Sequence, residues 1–241
     1  MTETVATTPN TASPGLAARF IGIIFSPRET YAAVAARPKW LGIMAITLVV
    51  GAAAQYVILS APAFQDAIID QQVRAMQAGG GGSDEQIANV ERFIGLMPTI
   101  YAVATFFIGP VIVALVAGLL TWIFSMLMGG TGTFKQVYAV VAHSGVISMF
   151  SGIFSAALML AGVPPTGVRP PSANLGVFVP MLEETNFVAL FLGTIDLILV
   201  WWCFSLAIGL AVLYRRKTGP IATTLLSIYA VIALIVAFAR S

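Results

Sequence analysis

FIGLMPTIYAVATFFIGPVIVALVAGLLTWIFSMLMGGTGTF, residues 93–134, runs for 42 residues without a single charged side chain. A helix rises about 1.5 Å per residue and the hydrocarbon core of a bilayer is about 30 Å thick, so roughly 20 apolar residues cross it once. The run is long enough for two short crossings broken at Gly109 and Pro110, or for one long tilted helix that Pro110 bends or relieves locally. The choice decides whether the chain crosses five times or six.

Four further stretches have the length of one crossing: residues 41–60, 136–162, 187–213 and 220–239. Only His143 and Asp196 interrupt the third and fourth spans with an ionisable group. Basic residues are retained on the cytoplasmic side of short loops, which separates the two counts. With five spans and a cytoplasmic N-terminus, Arg19, Arg28, Arg37, Lys39, Lys135, Arg215, Arg216 and Lys217 lie inside, and Arg74, Arg92, Arg169 and Arg240 outside. With six spans, the later loops change sides, the bias disappears and Arg215, Arg216 and Lys217 are stranded outside. The sequence therefore predicts an all-α, polytopic membrane helical bundle of five transmembrane helices, with its N-terminus cytoplasmic and its C-terminus outside.

Composition agrees. Hydrophobic residues make up 59% of the chain and charged residues 9%, against about 25% charged in an ordinary soluble domain, so the solvent for most of this surface is lipid. Residues 1–18 are polar, with no apolar core of a cleavable signal, and are expected to form a flexible tail that leaves the first span as a retained anchor. Residues 19–40 are expected to form an interfacial cytoplasmic helix, and residues 41–239 the five-span domain. The lone Cys203, inside the fourth span, allows no intramolecular disulfide.

The interfacial helix has its start signals at Ser26, Pro27 and Glu29, a capping-box spacing with proline in the first turn, and a stop at Pro38. Apolar Phe20, Ile23, Ile24 and Phe25 beside the basic residues predict that it lies along the headgroups. In the first outer loop, Gly79 to Gly82 read as a turn between two helical segments. Ser83 with Gln86 restarts the second by the same capping-box spacing. Neither these glycines nor the run Gly129 to Lys135 carries the strand and Lys-Ser/Thr context of a phosphate cradle, so both are read as turns. Prolines 164, 165, 170, 171 and 180 exclude a regular helix from the second outer loop.

An ionisable side chain inside hydrocarbon finds a partner, faces the bundle interior or lines a polar path. His143 and Asp196 are therefore the candidate intramembrane polar site. Counting residues along their helices places them about 6 Å apart in depth, so a direct pair requires tilted or shifted helices. The pair suits either a proton relay or, more simply, interhelical hydrogen bonds that fix packing. Ser144, Ser148, Gly152 and Ala156 form a stripe of small residues at fourfold spacing, a helix-packing face used inside the bundle or between copies. One His and one Cys, with no Ser-His-Asp set at one depth and no zinc spacing, argue against catalysis and against a bound metal or other cofactor. The scattered basic residues argue against nucleic acid as a partner. The lipid bilayer is the expected partner, together with other membrane proteins or a second copy.

The segment Ile24, Phe25, Ser26, Pro27, Arg28, Glu29, Thr30, the Gly109-Pro110 step, the turn leading to Thr133, Phe134, Lys135, Gln136, Val137, and Ile195, Asp196, Leu197 leading to Trp201 resemble recurring features of the Yip1 domain family in its bacterial form. The resemblance covers about residues 20–239. It implies five spans, a cytoplasmic N-terminus and a non-enzymatic membrane role. Eukaryotic members act in vesicle traffic and bind prenylated small GTPases. Here Phe106, Phe107 and Ile108 replace the Asp-Leu-Tyr of that pattern before Gly-Pro, and the N-terminal region is about 40 residues, so the resemblance does not carry GTPase binding to this chain. The expected function is a membrane-organising or partner-binding scaffold in a bacterial inner membrane. The alternative is a small transporter or channel component that uses Asp196 and His143.

Overall fold

A computed structural model describes residues 14–183 and 185–240 of the chain. Most of the expected N-terminal tail, residues 1–13, lies outside the described residues. Helices α1 (Leu16–Phe25) and α2 (Pro27–Ala36) precede α3 (Leu41–Ser60), α4 (Pro62–Ala78), α5 (Asp84–Met128) and α6 (Phe134–Leu160). A 3-10 turn at Leu175–Phe178 then leads to α7 (Phe187–Thr194), α8 (Leu197–Tyr214) and α9 (Thr218–Phe238). Helices α3, α5, α6, α8 and α9 are long and apolar enough to cross a membrane. Residues 93–128 of the 42-residue run belong to one helix: α5 continues through Pro98 and Pro110 and ends only at Gly129, which settles the count at five.

Local chemistry explains where these helices start and stop. Ser83 and Gln86 form the expected capping box at the start of α5, and Gly129 ends that helix in the left-handed conformation, φ 61°. Thr133 and Gln136 form a second capping box at the start of α6. Each box satisfies amides that the first helical turn otherwise leaves without partners. The other expected box, at Ser26 and Glu29, does not form: the Ser26 side chain makes no capping bond. Instead the Thr30 hydroxyl donates to the Ser26 carbonyl at 3.0 Å. A single residue separates α1 from α2, and a Cβ at Gly22 would collide with that hydroxyl. Residues 19–40 thus form a tightly bent pair of helices rather than one.

Helix α6 is the centre of the bundle, with α3 and α5 on one side, α8 on the other, and α9 packed beyond α8. Val137, Val140, Val146 and Ile147 from α6 meet Leu206 and Leu210 from α8 in a core from which solvent is excluded. Helix α2 is part of the bundle. It packs against α8 and α6 and buries Thr30, Tyr31 and Val34. The seam between α3 and α6 closes where small residues face each other: Gly145 lies beside Thr47 and Gly152 beside Ala54, the close backbone approach that small residues permit in lipid.

The fourth span differs from the continuous helix expected over residues 187–213. It breaks after Thr194, with Ile195 and Asp196 extended, and resumes at Leu197. The loop between α6 and α7 fills the break. The Leu197 amide donates to the Ala173 carbonyl at 2.8 Å, and the Leu175 amide to the Ile195 carbonyl at 3.0 Å. An aspartate at this point favours the interruption, because its short side chain competes for nearby backbone amides.

Candidate functional site

His143 is fully buried on α6. Its Nδ1 lies 2.7 Å from the Ala139 carbonyl and its Nε2 lies 3.3 Å from Nη1 of Arg19. A guanidinium only donates, so Nε2 accepts and Nδ1 carries the proton that goes to Ala139: the imidazole is neutral, in one tautomer. Arg19 comes from α1, and its Nη1 also donates to the Lys39 carbonyl. Its Nε is buried without a hydrogen-bond partner among the described residues.

A second polar group enters from α2. The Tyr31 hydroxyl lies 2.8 Å from the Ser205 hydroxyl on α8, with both residues buried. Burial pushes the Tyr31 phenol above its usual range, and the hydrogen bond with Ser205 opposes that shift in part. His143 stands nine residues after the start of α6 and Ser205 nine residues before the end of α8, so each lies roughly 14 Å along its helix from that end. The stacked rings of Phe124 and Tyr214, 4.4 Å between centroids, together with Gly130 and Gly132 beside Tyr214, bring the end of α5, the start of α6 and the end of α8 together. The α1–α2 pair therefore plugs this end of the bundle and sets two polar anchors at a common depth. Gly209 makes room for the second: a Cβ there would stand 2.5 Å from Val140 and 2.9 Å from the Tyr31 ring.

Asp196 caps α8. Its Oδ1 accepts from the amides of Ile198 at 2.7 Å and Leu199 at 3.2 Å, and its Oδ2 accepts from the Ser151 hydroxyl at 3.0 Å. Its own amide donates to the Tyr229 hydroxyl of α9 at 2.9 Å, and that hydroxyl donates to the Thr194 carbonyl at 2.9 Å. The carboxylate, two backbone groups freed by the break, and side chains from α6 and α9 thus form one satisfied network. Ser151 follows His143 by eight residues on α6, about 12 Å along the axis, twice the depth offset expected from residue counting. The structure does not bring His143 and Asp196 together; each has its own partners.

The small-residue stripe divides between two neighbours. Ser144 serves α8: its hydroxyl donates to the Val141 carbonyl at 2.8 Å and accepts from the Trp202 indole at 3.1 Å. Ser148 and Gly152 face α3 across a cavity of about 300 Å³, lined also by Thr47, Gln55 and Gly109. Ala156 packs with Ala54, Ile58 and Phe64 at the opposite end of that seam. Among the described residues, no group of three or more His, Cys, Asp or Glu could hold a metal ion.

Sequence reasoning missed Arg19, Tyr31, Ser205 and Tyr229. Arg19 was assigned to topology alone, and a Tyr facing a Ser 174 residues away carries no local signal. Neither a curated protein nor a solved structure matches the chain. The Yip1 domain model matches residues 21–240, a stretch that contains all five helices long and apolar enough to cross a membrane among the described residues, and the chain therefore belongs to the Yip1 domain family.

Proposed function

We propose that this integral membrane protein is a non-enzymatic scaffold that organises the bilayer or partner proteins, and that it resides in a bacterial inner membrane with its N-terminus cytoplasmic and its C-terminus outside. What carries this reading is the state of Asp196, whose two oxygens receive three donors that tie α8 to its own first turn and to α6. His143 is engaged in the same way, between its own helix and Arg19 of α1. Ionisable groups in a membrane interior mark either a pathway or a joint. These two, about 12 Å apart along α6 and separately bonded, serve as joints that make the bundle a rigid platform. The platform carries eight of the twelve Lys and Arg residues on the α1–α2 side, as a cytoplasmic surface requires. Other membrane proteins or a second copy are the partners that such a platform would gather.

Chemical crosslinking in native membranes, followed by identification of the attached proteins, tests the proposal. A reproducible neighbour is the expected result; recovery of the protein without one would overturn it. Proteoliposomes give an independent check. A proton or solute flux that vanishes in Asp196→Asn while assembly is preserved would make the pair a transport route and refute the scaffold.

A further inference from the structure

A cleft opens between the first turn of α2 and the last turn of α8, with a volume of about 530 Å³. Arg28, Arg215 and Arg216 line it, Glu29 is its one acidic side chain, and Ala32 and Ala211 are among its apolar walls. Cations belong at the C-terminus of α8, where the helix dipole is negative, but Arg28 stands at the positive N-terminal end of α2, where a cation is disfavoured. Three arginines against one glutamate thus line one space, and that positive surplus attracts an anion.

The backbone at Arg215 gives an independent indication. Arg215 ends α8 with φ 53° and ψ 44°. Among the described residues it is the only non-glycine with positive φ. Glycine is the residue that suits a left-handed helix end, so the chain keeps a guanidinium at the cleft where a side chain is conformationally disfavoured. Such an outlier points to a function for the side chain.

We infer that this cleft binds the phosphate of an anionic phospholipid from the surrounding leaflet. Arginine matches phosphate oxygens with paired donors. The cleft sits where a membrane-crossing helix of 18 residues ends, the level at which headgroups lie, and basic pockets between membrane helices bind acidic headgroups. Val212, half-buried on α8, lines the same cleft and offers the glycerol and upper acyl carbons an apolar contact that free phosphate cannot use. The inference rests on membrane integration and is independent of the scaffold proposal.

The test uses the full chain in neutral detergent, stripped of co-purified lipid and titrated with phosphatidylglycerol, phosphatidylcholine or inorganic phosphate. Bound lipid is counted by native mass spectrometry. Phosphatidylglycerol is expected to be retained in preference to phosphatidylcholine, with affinity falling about fivefold for each arginine removed in Arg28→Gln and Arg215→Gly. Because glycine relieves the left-handed backbone, Arg215→Gly is expected to melt no lower than the wild type while losing lipid, which separates binding from folding. Equal retention of the two lipids, or an unchanged preference in the double variant, overturns the inference. Inorganic phosphate that displaces phosphatidylglycerol at equal concentration would make free phosphate the ligand and overturn the lipid assignment.

Discussion

Replacing Asp196 by alanine removes three accepted hydrogen bonds at once. Two come from the first-turn amides of α8 and one from Ser151. Loss of an N-cap side chain costs about 0.5–2 kcal/mol, and loss of a hydrogen bond to a charged group about 1.5–3 kcal/mol. The expected destabilisation is therefore about 2–5 kcal/mol, and at about 2–4 °C per kcal/mol for a chain of this size the melting temperature falls by roughly 4–20 °C. Asparagine is a different perturbation. Its carbonyl oxygen still accepts from Ile198 and Leu199, and the Ser151 hydroxyl needs only to rotate to accept from the new amide, so the loss stays below about 1 kcal/mol. Thermal unfolding in detergent, followed by size-exclusion chromatography of the survivors, measures both variants. Asparagine as damaging as alanine would mean that the negative charge itself sustains the site. An alanine variant that melts with the wild type would mean that the cap carries no stability; either outcome refutes this account.

Gly209→Ala places a methyl group against Val140 and the rigid Tyr31 ring. It is expected to cost about 1–3 kcal/mol by overpacking and to release α2 to limited proteolysis before the rest of the bundle unfolds. Because the folded-state pKa of Tyr31 is raised above its usual 10.0, its contribution is complete below that pH and is lost as the pH climbs beyond it. Melting temperatures compared on either side of pH 10.0 should show this decline, with a shallower slope in Tyr31→Phe. Gly129→Ala forces a Cβ into the left-handed end of α5 at φ 61° and is expected to lower stability by about 1 kcal/mol, read by the same melting assay.

The five crossings were legible because apolar length is written directly into composition, and the loss of charge bias on adding a sixth decided between one helix and two over residues 93–134. The Ser83 and Gln86 start of α5 was legible for a similar reason: both partners lie within one turn. Thr133 and Gln136 carry the same spacing and were readable by the same rule. Ser26 does start α2, but its box with Glu29 does not form because the Ser26 amide, which the Glu29 side chain would accept from, donates instead to the Gly22 carbonyl at the end of α1. The break at Ile195 and Asp196 was hidden because both flanks are equally apolar, while the groups that satisfy it, Ala173 and Tyr229, lie far off in sequence. Arg19 was hidden for the same reason, since its partner His143 lies 124 residues away. Hydropathy reports the solvent that a segment needs and says nothing of the distant side chain that completes it.

The interrupted fourth crossing sets an order on biogenesis. Its exposed backbone groups, the Thr194 carbonyl and the Asp196 amide, are both satisfied by Tyr229, which leaves the ribosome 33 residues after Asp196. Both groups have Tyr229 as their partner, so the joint between α7 and α8 stays incomplete until α9 arrives. The carboxy-terminal helix is thus the keystone of assembly, and a chain that stalls before it presents an unfinished joint to the quality-control machinery of the membrane.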